Sequence, residues 1–432
     1  MRFVACLLIV LITACSSTPQ TEEVAVKAVC DLEYSRYQAT VTGYCQEPRA
    51  DLLASVPVIN NSITIKPLEK IPEVFWFNKK MNFSLLKQDS VAPVIFVIAG
   101  TGAGYDSAKM INLQKNFYQQ GYHVISLSSP TFANFIVNSN NTKYMPGNLA
   151  HDAKELYDVM ELVWQQVQDE DEVEASSFAI TGYSLGGAHS AFVSLLDEER
   201  KVFNFEKVLL INPPVSLYHS VSILDQYFDL RSNRHAAIAM FDEIFKRFSD
   251  GYSAQESSNF DQDSIFSLFK NANLTEAELK LLIGASFRMS SSDMIFALDT
   301  SFNSGAVTYK NHDIDKFESL THSMQRVSDI TFVNYFEGAM LPRAQLENAN
   351  ITKDELIHRY SLHAIEDYLK NSDKIHLVTN NDDIILAPGE VEYLQSVFTE
   401  RAKIFPRGGH CGNMDRVSFV EHLNATFSQG VK

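Results

Sequence analysis

The stretch 178-FAITGYSLGGAHSAF-192 decides how the rest of the chain is read. Its first part, with "SSFAITGY", has the apolar character of a buried strand, and "LGGAHSAFVSLL" follows as a helix. Between them Gly182, Tyr183, Ser184, Leu185 and Gly186 spell G-x-S-x-G. A serine at such a strand-to-helix turn sits on a strained backbone with its hydroxyl clear of the sheet. The flanking glycines leave space where Cβ atoms would jam helix against strand. The helix that starts behind the serine offers backbone N–H groups and the positive end of a dipole. Alone, the pattern also fits an ordinary packing turn, so its surroundings decide.

Upstream, "APVIFVIAG" is an unbroken apolar run ending in Gly100, which suits a central strand of a buried parallel sheet. A helix over "YDSAKMINLQKNFYQQG" stops at Gly121, and "YHVISLSSP" is the next strand. "NLAHDAKELYDVMELVWQQVQ" places Leu156, Val159, Met160 and Val163 at helical intervals. "SITIKPL" and "MNFSLLKQ" alternate like half-buried strands. Downstream come the strand "FEKVLLINPP" and, near the end, strand "DKIHLVTN", helix "GEVEYLQSVFT", strand "RAKIFPRGG" and helix "DRVSFVEHLNATFS". Such alternation predicts right-handed β-α-β units and a sheet covered on both faces. Residues 215–371 break the rhythm with helical spacing throughout, so a helical insertion divides the core into 56–214 and 372–432. Its Phe228, Phe241, Phe245 and Phe248 fit either the insertion's own core or the wall of an apolar pocket.

The elbow "GYSLGG", the strand end "VTNNDD" and the loop "GGHCG" together resemble the α/β-hydrolase superfamily, over roughly residues 56 to 430. The resemblance implies an α/β-hydrolase fold: a mostly parallel central sheet, helices on both faces and a helical cap. It also implies a serine hydrolase whose triad runs Ser, acid, His along the chain. Ser184 is then the nucleophile. In "LVTNNDDIILAP" the family pattern, a glycine three residues before the acid and an apolar pair and proline after it, makes Asp383 the acid. Asn380 takes the glycine's place and the aspartate is doubled, so Asp382 stays open as the alternative. His410 is the base, on a loop that two glycines let curl back over the sheet. His189 and His376 read as structural. Cys411 reads as a bystander whose side chain points elsewhere.

An oxyanion needs two donors. Leu185 N–H is one. The other belongs to "GTGAG", where Ala99-Gly100 replaces the family's frequent His-Gly; Thr101 is the expected donor and Gly102 the competitor. No zinc-type spacing, H-E-x-x-H or P-loop occurs, and neither a metal nor an organic cofactor is expected. The bond expected to be cleaved is a carboxylic ester or a related acyl bond. A peptidase or thioesterase with the same triad, or an inactive hydrolase fold that binds a ligand, are the other readings.

The chain has 432 residues, 53 acidic against 36 basic, and a net charge of −17, which argues against nucleic-acid binding. It begins "MRFVACLLIVLITACSS", with an apolar run too short for a permanent span, and reads as a secretory signal. Its end, Ile12-Thr13-Ala14-Cys15, resembles the lipobox of bacterial lipoproteins. That implies removal of residues 1–14, lipid on Cys15, and a membrane-anchored envelope protein in which residues 15–55 form a tether and N-terminal segment. Ser16 after the cysteine leans toward the outer membrane. No later apolar run of membrane-spanning length is expected. Cys30 and Cys45 are natural disulfide partners in an oxidising compartment, worth roughly 3 kcal/mol in the chain-entropy model.

Overall fold

The structure is a computed structural model describing residues 35–139, 145–228, 239–240, 242–244, 246–247 and 273–428. Contacts divide the chain into Met1–Glu33 and Tyr34–Lys432, and every described residue belongs to the second body. The signal, Cys15, Cys30 and so the Cys30–Cys45 pairing, and Phe241, Phe245 and Phe248, lie outside the described residues.

Eight strands form one sheet: β1 Ile59–Ile63, β2 Met81–Leu86, β3 Ala92–Ile98, β4 His123–Leu127, β5 Ala175–Tyr183, β6 Lys207–Ile211, β7 Ile375–Asn380 and β8 Ala402–Phe405. Their order is β1-β2-β4-β3-β5-β6-β7-β8. The β1–β2 and β2–β4 pairs are antiparallel and all others parallel. With helices on both faces, this is the α/β-hydrolase fold. The alternation "SITIKPL" misplaced β1, which starts three residues earlier, at Ile59. An edge strand is paired on one side and lightly buried, so hydropathy constrains it weakly.

Alternate side chains of the central strands face opposite layers, as a period of two requires. Ile95 and Val97 of β3 meet Met110, Leu113 and Phe117 of α2 (Ala108–Gln119), along with Phe419, Leu423 and Phe427 near the C-terminus. Phe96 and Ile98 face the other way, toward Leu156, Met160 and Val163 of α3 (Leu149–Asp171) and Ala188 and Ala191 of α4 (Leu185–Arg200).

Between β6 and β7 the described elements are helical. Two of them matter for the site: α5 (Leu217–Tyr227) and α6 (Glu276–Phe302). A capping box of Thr275 and Glu278 starts α6. Arg288 of α6 meets Asp225 of α5 at 3.2 Å, with side-chain exposures of 6% and 8%. Asp225 also accepts the Val333 N–H at 3.0 Å. Contrary to the sequence expectation, α6 has membrane-spanning length and a mean hydropathy of 1.2 over 18 residues. Its buried Arg288 and Asp299 explain why it packs as a wall of the protein: Asp299 collects the N–H groups of Ala306, Val307 and Thr308.

The N-terminal segment also contributes structure. Helix α1 (Arg36–Thr42) lies against the loop after β8 so closely that a Cβ on Gly412 would fall 2.1 Å from Ala39 O. Residues 44–50 continue along the same loop: Tyr44 N–H bonds Gly412 O at 2.6 Å, Ala50 N–H bonds Asp415 O at 2.8 Å, and Arg49 bridges Arg416.

Candidate active site

Ser184 links β5 to α4 with φ 55 and ψ −128. A non-glycine residue held there costs of order 1–3 kcal/mol, and the surroundings must enforce it. Ser184 N–H is tied to Ile211 O at 2.7 Å, and Gly187 N–H to Ser184 O at 2.9 Å. The glycines of the motif are steric necessities. A Cβ on Gly182 would lie 2.4 Å from Gly186 O, and one on Gly186 would lie 2.3 Å from Ile98 O.

The loop after β8 brings His410 to the serine: His410 Nε2 lies 2.9 Å from Ser184 Oγ. The other ring nitrogen, Nδ1, faces Asp383 Oδ1 and Oδ2 at 3.0 and 3.1 Å. Asp383 follows β7 and its side chain has no solvent exposure. Asn212 Nδ2 donates to its Oδ2 at 2.8 Å and Ile385 N–H to its Oδ1 at 3.1 Å. The carboxylate is thus oriented before it meets the imidazole. Asp382 does something else: its Oδ1 accepts Gly409 N–H at 2.9 Å and braces the histidine loop. Burial opposes a charged imidazolium at His410, but the Asp383 carboxylate, with Cys411 beside the ring, outweighs it and raises the histidine pKa.

The loop itself is fixed from two sides. Asn380 Nδ2 donates to Gly409 O at 2.8 Å and exchanges hydrogen bonds with Asn413 at 2.8 and 3.0 Å. On the other side Thr40 Oγ1 of α1 accepts His410 N–H at 2.9 Å. Cys411 corrects the sequence reading. Its φ of 59 turns the side chain back, so that Sγ lies 3.9 Å from His410 Nε2 and lines the cavity. His189 pairs with Asp152 at 3.0 Å, both wholly buried, behind the elbow. His376 stays in β7, and burial lowers its pKa to about 4.

Leu185 and Thr101 line the cavity beside Ser184. Among the described residues neither backbone N–H has an acceptor. Gly102 N–H, the competitor, is already donated to Thr131 Oγ1 at 2.8 Å. The cavity is about 290 Å³, and α5 and α6 supply much of its wall through Leu217, Val221, Leu224, Ile283 and Phe287. Among the described residues no cluster of metal-ligating side chains occurs.

No family model and no curated relative matches the chain. Solved structures resemble it distantly. A proposed hydrolase from Legionella pneumophila is 10% identical, with a TM-score of 0.47 over 92% of this chain and 95% of that one. An esterase from Rhizomucor miehei is 12% identical, with a TM-score of 0.41 over 95% and 92%. A thioesterase domain from the curacin biosynthetic pathway is 11% identical, with a TM-score of 0.36 over 80% and 94%. At that distance likeness says nothing of substrate, and the side chains must supply the chemistry.

Three residues at the site escape sequence reasoning. Asn212 sits at the end of β6 with φ 46, a conformation asparagine tolerates better than most residues. Its place directly after an apolar strand was a legible signal. Thr40 had none, because only the fold brings α1 to residue 410. Lys109, in the first turn of α2, also lines the cavity.

Proposed function

We propose that the protein is a serine hydrolase that cleaves a carboxylic ester or related acyl bond through an acyl-enzyme. His410 Nε2 takes the Ser184 Oγ proton as the oxygen attacks the carbonyl carbon. The tetrahedral oxyanion is received by Leu185 N–H and Thr101 N–H. His410 then returns the proton to the departing alcohol as the C–O bond breaks. Water, deprotonated by the same nitrogen, releases the acid and restores the serine. Asp383 holds the imidazole tautomer and stabilises the imidazolium. The observation that carries this reading is the unbroken chain Ser184 Oγ, His410, Asp383, with contacts of 2.9 and 3.0 Å.

A fluorophosphonate probe tests it. The purified protein is expected to label, and Ser184→Ala to abolish labelling. A panel of esters, thioesters and aminoacyl amides then ranks the acyl bonds. An unlabelled wild-type protein would put the fold to use as a binding protein instead.

The reading includes anchoring at Cys15, so that the hydrolase works at a membrane surface of the bacterial envelope, the outer membrane being favoured by Ser16. Cys15→Ser is expected to lose acyl-chain labelling and to fractionate away from membranes. Normal processing and unchanged membrane association would sink the anchor.

A further inference from the structure

The wall of the catalytic cavity is chemically uneven. The insertion helices give it an apolar surface, including Leu217, Val221 and Phe287. Lys109 lines the same cavity and, besides His410, is the one ionisable cationic residue among its described lining. Among the described residues no carboxylate lies within ion-pair distance of it and none lines the cavity. Helix stability does not account for its position. Lys109 is the second residue of α2, where a cation opposes the helix dipole, and no acidic residue stands in that first turn to offset it. Ser107, the residue before the helix, makes no side-chain cap; its hydroxyl lies 3.3 Å from Tyr183 Oη instead. In a chain with a net charge of −17, a half-buried lysine without a carboxylate partner among the described residues puts a positive charge at the wall of the reacting cavity.

We propose that the cavity takes an anionic amphiphile, its apolar portion against α5 and α6, and that Lys109 selects a carboxylate or phosphate on it. The inference rests on the hydrolase reading for the statement that this amphiphile is an ester. It makes Lys109 a specificity-determining residue and not a participant in acyl transfer.

The experiment uses the full chain and two readouts. In the first, calorimetry compares hexyl phosphate, hexanoate and hexanol binding to Ser184→Ala protein. The anions are expected to bind about tenfold or more tightly than the alcohol, as a charge-assisted contact would give. Lys109→Met should erase the difference and Lys109→Arg should keep it. In the second, p-nitrophenyl butyrate is compared with p-nitrophenyl hemiglutarate, which carries its anion on the acyl side, and with 4-carboxyphenyl butyrate, which carries it on the leaving group. Lys109→Met should lower kcat/KM about tenfold or more for whichever anionic ester the wild-type protein prefers, relative to its effect on the neutral ester. Added salt should shrink the preference. Equal binding of hexyl phosphate and hexanol, or a Lys109→Met variant that loses all substrates equally, overturns the proposal. A protein that binds the anions selectively but cleaves no ester upholds the anion site and overturns the hydrolase reading alone.

Discussion

Thr40 Oγ1 accepts the backbone N–H of His410 at 2.9 Å, although 370 positions separate the two residues. The threonine hydroxyl is itself anchored, donating to Arg36 O at 2.8 Å. The bond leaves the imidazole untouched and sets where its backbone starts. Thr40→Val is therefore expected to lower kcat about tenfold or more with little change in KM, because small misplacements of a catalytic group are costly. Thr40→Ser should restore it. A Thr40→Val enzyme with unchanged kcat and an unaltered pH profile would show that α1 only packs.

The paired aspartates should separate cleanly. Asp383→Asn keeps the shape but loses the charge that faces His410 Nδ1, and turnover is expected to fall by roughly four orders of magnitude, as in other triads. Asp382→Asn retains an oxygen that can accept Gly409 N–H, so its loss should be small. Steady-state kinetics on one chromogenic ester decides between them.

The pH profile follows from the sign of the His410 shift. Catalysis needs the neutral imidazole, and Asp383 raises the pKa above the ordinary histidine value of about 6.5. Activity should rise with pH along a limb centred above that value. Asp383→Asn should move the limb to lower pH in whatever activity remains. The same shift stabilises the fold below the unfolded pKa and is lost as pH rises through the folded one. A limb at or below the ordinary value would contradict the electrostatic account.

Asp225 joins α5 to α6 through Arg288, away from the reacting atoms. Asp225→Ala would leave a buried guanidinium without its carboxylate, and is expected to destabilise the protein by about 3–5 kcal/mol. A shift in the midpoint of urea unfolding measures it. Replacing both partners with apolar residues should recover part of the loss.

What could be read from sequence was local in character. The apolar runs of β3, β5 and β6 announced a buried parallel sheet, and G-x-S-x-G announced the turn at Ser184, because each rests on spacing among neighbours. The doubled aspartate resisted reading. Both residues sit at the end of β7, and only the path of the His410 loop determines which carboxylate meets the ring and which meets Gly409 N–H. Cys411 misled for a related reason: a left-handed φ at one loop residue reverses the direction that chain position suggests. Thr40 was illegible because its partner lies at the other end of the chain, and α6 was misjudged because its buried charges count for little against its apolar content.

The stitching of residues 36–50 to residues 409–418 has a consequence for biosynthesis. His410 is synthesised 370 positions after Thr40, long after the surface that seats it. On the proposed reading, a nascent chain that has passed Ser184 but not yet reached His410 holds the nucleophile without its general base, and so has no hydrolytic capacity. On the same reading, a cut between β7 and β8 would part Ser184 from His410, and re-association of the two pieces would have to rebuild an edge strand and a loop together.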